Sequence, residues 1–260
     1  PGWSPGAAAR HHRGPCPPPE VTDVTQRSRW LVLLPASKGV TADARDPRWG
    51  TVANDPQREV LAALSDRDDH RDPSPVSERG TTPAWKRYDG VLHRAADPRS
   101  LEGADRRRWH RHVLYVSALA GLVGATERLP IYRLEMARVT DQLGGLGGFW
   151  RPHVAAVLGD RLTPTGLVWC LTGGEYARAV AVPGHQRIVE PRFVQGDRSM
   201  PSATVKQARG QLARALVQHP DAARDPGADA WGDVVLTAAG KPVTFDGLDD
   251  DGVPVWRTPV

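Results

Sequence analysis

The sequence predicts a mixed α/β fold: a single compact domain in which a mixed sheet is surrounded by helices, behind a disordered N-terminal extension. Three observations predict it. Short continuous apolar runs at residues 30–34, 113–117 and 167–171 read as strands buried on both faces. Stretches with a 3.6-residue apolar period lie between and after them, most clearly at residues 204–219. Strands and helices alternate without one clean βαβ rhythm, and no internal repeat is visible.

Residues 1–29 are rich in Pro, Gly, Ala and Arg without a hydrophobic period. They are expected to form the extension, which leaves residues 30–260 as the domain. Pro35 stops the first strand. Asp55-Pro56 reads as an N-cap with proline at the first helical position, and that helix runs to about Leu64. Residues 65–83 read as a charged, proline-broken loop. A basic helix is expected over residues 100–111, then a strand over 113–117. A short helix starts near Gly148 and carries Trp150, Val154, Val157 and Leu158 on one side. Residues 187–194 alternate like a half-exposed strand, with Pro191 marking an edge or bulge. On the helix at 204–219, Val205, Ala208, Leu212 and Leu216 form one stripe. Residues 234–236, 243–245 and 253–256 suggest a terminal antiparallel meander with Gly/Asp turns.

The chain has 260 residues, of which 40% are hydrophobic and 25% charged, ordinary globular material. Its two cysteines, Cys16 and Cys170, make no disulfide framework, so a reducing, cytoplasmic setting is expected. The N-terminal residues lack the apolar core of a signal peptide, and no run suits a membrane span. The net charge of +4 favours polyanionic partners only slightly. No His/Cys/Asp/Glu constellation suggests a metal, and no cofactor motif is present.

Several words carry candidate chemistry. Ser37-Lys38-Gly39 follows a buried strand, where an ammonium and free backbone N–H groups can cradle an anion. The competing reading is a plain strand exit with a solvated lysine. Tyr132-Arg133-Leu134-Glu135-Met136 packs a hydroxyl, a guanidinium and a carboxylate beside an apolar segment. If extended, it places Tyr132, Leu134 and Met136 on one side and Arg133 with Glu135 on the other. Those two charges then form either part of a site or a structural pair. Glu175-Tyr176 follows Gly173-Gly174, where glycines admit a close approach and a helix start favours an anion. Lys206 and Arg209 lie three apart on one helix and point the same way. Gly210 inside that helix suggests close approach by another backbone or a ligand. The run from Arg106 to His112 encloses Trp109, and arginines beside an aromatic suit phosphates and bases. Leu143-Gly144-Gly145-Leu146-Gly147-Gly148 resembles the loop of a helix-hairpin-helix.

The words Leu33-Leu34-Pro35-Ala36-Ser37-Lys38, Tyr88-Asp89-Gly90-Val91-Leu92-His93, Ser117-Ala118-Leu119-Ala120-Gly121, Tyr132-Arg133-Leu134-Glu135-Met136, Phe149-Trp150, Glu175-Tyr176 and Ala208-Arg209-Gly210 occur in this order. In that order they resemble the YaaA family of peroxide stress proteins. Cys170 and Gly174 stand where that family often has polar residues. The resemblance implies the YaaA-type fold rather than a Rossmann domain, and protection against hydrogen peroxide through DNA bound in a basic cleft. In that cleft Ser37, Lys38, Arg133, Glu175, Tyr176 and Arg209 would contact phosphate or ligand. The alternative is an enzyme acting on a nucleotide, nucleobase or other small anion in the same cleft. Lys206, Glu135 and Tyr132 would then be its catalytic residues. The expected partner is therefore DNA or a nucleotide-like small anion.

Overall fold

The computed structural model describes residues 27–42, 45–64, 75–182, 184 and 186–259. Most of the expected extension, and Cys16 within it, lies outside the described residues. The elements in order are β1 (Ser28–Pro35), β2 (Arg45–Arg48), α1 (Trp49–Val52), α2 (Asp55–Ala63), β3 (Gly80–Pro83), α3 (Ala84–Arg87), α4 (Val91–Ala96), α5 (Gly103–His112), β4 (Val113–Ser117), β5 (Gly121–Gly124) and β6 (Arg128–Pro130). There follow β7 (Val139–Thr140), β8 (Gly144–Gly145), α6 (Leu146–Arg161), β9 (Leu162–Cys170), α7 (Glu175–Arg178), β10 (Arg187–Val189), β11 (Arg192–Gln195), β12 (Arg198–Ser199), α8 (Ser202–Gln218), β13 (Val235–Ala238), β14 (Lys241–Leu248) and β15 (Pro254–Thr258).

The fold is mixed α/β. The first large sheet has the order β10-β9-β1-β4-β5, with β10, β9, β1 and β4 parallel and β5 antiparallel to β4. The three apolar runs of the sequence are its three central strands, and their residues are buried throughout. The second sheet has the order β12-β11-β15-β14-β13. It contains the expected meander, closed at Ala239-Gly240 by two residues of positive φ, a hairpin geometry that glycine favours. The two sheets share one continuous core. Trp169 of β9 meets Trp231 edge to face at 5.8 Å, and Trp231 meets Trp256 of β15 at 6.0 Å. Each such aromatic pair adds about 0.5–1.5 kcal/mol beyond its buried area.

Three expectations need correction. Residues 187–194 are two strands, not one: Pro191 offers no N–H, the ladder stops there, and β10 and β11 belong to different sheets. Residues 80–83, expected as loop, form β3, which pairs with β2 and β6. Strands of three or four residues carry too little pattern to be read. The cap of α2 is Asn54, not Asp55, in a reciprocal capping box with Gln57. The close approach expected at Gly210 is made by another backbone: a Cβ there would stand 2.1 Å from the Leu92 carbonyl oxygen of α4.

Candidate functional site at the carboxyl edge of the parallel sheet

Parallel strands end on one edge, so the loops after β1, β4, β9 and β10 all emerge together. The strand order also reverses there: β4 follows β1 on one side, and β9 is added later on the other. Open parallel sheets leave a crevice at such a reversal. Lys38 follows β1 and Gly173 follows β9, adjacent strands paired Leu33 to Cys170.

The β1 exit is laid flat against residues 88–90. Ser37 Oγ accepts from Gly39 N–H at 3.1 Å, and Asp89 N–H donates to the Gly39 carbonyl at 2.8 Å. A Cβ on Gly90 would stand 2.1 Å from Ser37 Oγ, so only glycine fits. The fully buried Arg87 anchors this layer by donating to the Thr41 carbonyl at 2.5 Å and to that of Leu129 at 3.1 and 3.3 Å. Lys38 is exposed, and its Nζ pairs with Glu135 at 2.7 Å across the rim.

The Tyr132 segment is neither helix nor strand, but its burial alternates as expected. Tyr132 and Met136 are buried, Leu134 is half-buried, and Arg133 and Glu135 are exposed. The ion-pair partner of Glu135 is Lys38. Tyr132 Oη lies 2.8 Å from Ser117 Oγ and 2.6 Å from Tyr88 Oη. Ser117 Oγ also accepts from the N–H groups of Leu119 and Ala120, at 3.2 and 3.0 Å. Trp150 holds this turn from behind: its Nε1 donates to the Ala118 carbonyl at 2.8 Å, and its ring leaves room only for glycine at 121. Burial raises the proton affinity of Tyr88 and Tyr132 well above the usual phenol range, so both stay protonated.

His93 packs beside them, its ring centroid 5.3 Å from that of Tyr88. It is buried, and neither ring nitrogen has a hydrogen-bond partner. Burial pushes its pKa down to about 3. The Pro35 carbonyl favours the protonated ring weakly, without meeting hydrogen-bond geometry. The imidazole is therefore neutral at pH 7.

At the β9 exit, burial raises the Cys170 thiol, whose Sγ lies 3.1 Å from Thr172 Oγ1. This is no thiolate. Arg209 of α8 lies over Gly173, with Nη1 2.7 Å from where a Cβ would be. The guanidinium is half-buried, and among the described residues it makes no hydrogen bond or ion pair. Burial lowers its proton affinity, while Cys170 and Glu190 oppose that shift. Glu175 pairs with Arg178 of its own turn at 3.1 Å. Tyr176 lies close enough to Tyr132 and Glu135 for their charges to add to the upward shift that burial imposes on it.

The carboxyl edge thus gathers Ser37, Lys38, Glu135, Tyr132, Tyr176 and Arg209. Lys206 is exposed on α8 and makes no hydrogen bond or ion pair with any of them among the described residues. Trp109 is not available for stacking: it is buried and donates to Tyr115 Oη at 3.2 Å. The glycine-rich segment is a β-hairpin, β7–β8, followed by α6, because the preceding residues are extended rather than helical. It is not a helix-hairpin-helix. A pocket of about 420 Å³ lies between α4, α8 and the β13–β14 turn. Its glutamines are already engaged, Gln207 by Ala239 N–H and Gln211 by the Ala95 carbonyl. It holds none of the expected site residues, so the sheet edge is the stronger candidate. Tyr88, His93 and Ser117 belong to the family words of the sequence, but none stands among the candidate site residues that it predicts.

Among the described residues no group of three His, Cys, Asp or Glu could hold a metal ion, and no helix is long and apolar enough to cross a membrane. A family model for the peroxide stress protein YaaA matches residues 53–224. The chain belongs to the YaaA family. It is 35% identical over 150 residues to a UPF0246 protein of Streptomyces coelicolor, covering 56% of this chain and 57% of that protein. It is 30% identical over 149 residues to one of Ruegeria sp., covering 54% and 59%. With one of Variovorax paradoxus it shares 35% identity over 140 residues, covering 51% and 54%. The chain thus spans a little under three fifths of the length of these curated relatives. The matched region holds α4, α8 and the whole carboxyl edge beyond β1.

Proposed function

We propose that the crevice at the carboxyl ends of β1 and β9 binds one phosphate-bearing, nucleotide-like ligand, in a cytoplasmic protein of the peroxide stress response. The observation that carries this reading is Arg209. A half-buried guanidinium with unused donors has given up hydration and, beyond the through-space attraction of Glu190, makes no hydrogen bond or ion pair among the described residues. An anion in the crevice supplies that partner through charge-assisted hydrogen bonds. Lys38 adds a second positive charge at the rim. Tyr176 and Tyr132 supply apolar faces and hydroxyl groups between the two. The family supports a role in peroxide stress.

Binding, rather than turnover, is what these residues support. Glu135 is held by Lys38, Tyr132 is protonated and buried, and Lys206 stands apart. Duplex DNA is the second reading, and one surface favours it. Lys86 stacks on half-buried Trp85 at 4.8 Å, His110 lies against the same ring, and Arg99, Arg106 and Arg107 are exposed on nearby elements. Thermal shift with ribonucleoside monophosphates, beside a DNA titration between about 50 and 200 mM salt, separates the two. The proposal expects nucleotide stabilisation that vanishes in Arg209→Ala. Steeply salt-dependent duplex binding with no response to nucleotides would transfer the assignment to the Trp85 surface.

A further inference from the structure

The hydroxyl cluster beneath the crevice has a surplus proton, and counting locates it. Ser117, Tyr132 and Tyr88 carry one hydroxyl proton each, and two oxygen–oxygen contacts join them. Ser117 Oγ already accepts from Leu119 and Ala120 N–H, which fills both its lone pairs. Its own proton must therefore go to Tyr132 Oη. One contact, between Tyr132 and Tyr88, remains for two phenolic protons. The polarised order is Ser117 to Tyr132 to Tyr88, in which each bond strengthens the next. Ser117 Oγ is near enough to influence Tyr88, but its lone pairs are filled, so the Tyr88 proton has no acceptor of hydrogen-bond geometry among the described residues. Both phenols are buried, with 4% of their surface exposed, and buried polar groups rarely go unpaired. Beside Tyr88 stands His93, equally buried, with both ring nitrogens unpartnered. Two unsatisfied polar groups thus share one wall under the Ser37 turn. Ser37 Oγ and His93 Nδ1 both lie within 4 Å of the position a Gly90 Cβ would take.

We propose that Tyr88 donates its hydroxyl proton to a neutral acceptor on the ligand, and that His93 pairs beside it, so the crevice recognises a nucleobase as well as a phosphate. The inference rests on the nucleotide reading above and deepens it. The rim supplies charge through Arg209 and Lys38. The floor supplies only neutral groups: a phenolic donor and an imidazole with one donor and one acceptor. A carbonyl oxygen or ring nitrogen of a heterocycle matches that set. A second phosphate does not, because a neutral floor cannot offset its charge. Tyr132 and Ser117 are positioning residues that polarise Tyr88 and contact no ligand.

The test compares ribonucleoside monophosphates with inorganic phosphate by isothermal titration calorimetry. Tyr88→Phe should weaken nucleotide binding about tenfold, the effect of one buried hydrogen bond, and leave phosphate binding unchanged. Ser117→Ala keeps the donor but removes its polarisation, and should weaken nucleotide binding by roughly two- to threefold. Arg209→Ala should weaken both probes. If nucleotide affinity in Tyr88→Phe equals wild type, or if both probes are lost in it, the inference is overturned. If Arg209→Ala leaves phosphate binding intact, the anion reading itself falls. Should Tyr88→Phe fail to fold, tyrosine ring-carbon NMR on the unaltered chain decides. The chain has only 4 tyrosines, so the Tyr88 signal can be assigned. It should move with nucleotide and stay still with inorganic phosphate; a stationary signal with both overturns the inference.

Discussion

The two large sheets of this molecule share one core but concentrate different residues. The parallel sheet sends the loops after four strands to one edge, and polar groups from distant parts of the chain meet there. Ser37, Ser117, Gly173 and Glu190 each follow or close a different strand. In the β13–β14–β15 meander, successive strands end at opposite edges, so no edge collects more than one exit per hairpin. Its surface charges pair locally, as Arg192 with Asp249 at 2.6 Å and Arg257 with Asp246 at 2.7 Å. Its buried face is spent on Trp256, Leu236 and Val243. Strand direction decides which sheet can build a site and which can only pack.

That contrast is broken most sharply by core variants. Trp231→Ala should cost about 3–5 kcal/mol, because it removes the ring joining Trp169 to Trp256. Denaturant titration measures it, and nucleotide affinity of the folded fraction should not change. A loss of affinity there would show that the second sheet supports the site after all. Gly210→Ala should cost about 1–3 kcal/mol despite alanine's better helix propensity, because the added methyl meets the Leu92 carbonyl. A neutral or stabilising result would mean that α4 can shift.

Acid sensitivity sharpens the comparison from the first sheet. His93 has a folded pKa of about 3, below the ordinary 6.5. The unfolded chain therefore binds its proton first. The cost to stability is absent above pH 6.5 and grows as pH falls towards 3, by up to about 1.4 kcal/mol per pH unit. His93→Gln should flatten that part of the stability–pH curve between roughly pH 6 and 4. His112, lowered to about 4 by burial, should leave a smaller residual slope. An unchanged curve in His93→Gln would mean that the ring is solvated. The smallest effect belongs to Lys38→Ala. Its pair with Glu135 is exposed on both sides, so stability should change by less than about 1 kcal/mol and less still at high salt.

Much of this was legible in the sequence. Short apolar runs bounded by breakers, such as residues 30–34 before Pro35, read as central strands, and a long amphipathic helix such as α8 declares itself. The alternation around Tyr132 correctly separated the buried from the exposed side. The rest depended on contacts that sequence spacing does not encode. Pro191 was visible, but not that the chain changes sheets there. Gly210 signalled a close approach, but α4 lies more than a hundred residues upstream and only packing reveals which backbone arrives. Trp109 sat among arginines and looked free to stack, yet Tyr115, six residues on, draws it inward. His93 and Ser117 carried no local oddity at all. Their importance lies in hydrogen-bond valences that are filled or left open, which only coordinates can count.

The most direct test of the carboxyl-edge assignment is calorimetric titration of a ribonucleoside monophosphate into the wild-type chain and into Arg209→Ala. Charge-assisted hydrogen bonds from this guanidinium predict a ten- to hundredfold loss of affinity. Stability should be unchanged or slightly higher, because a partly desolvated charge is removed. Equal affinity in the two proteins, or binding abolished instead by replacing Arg106 and Arg107 on α5, would contradict the account and place the anion on the other face.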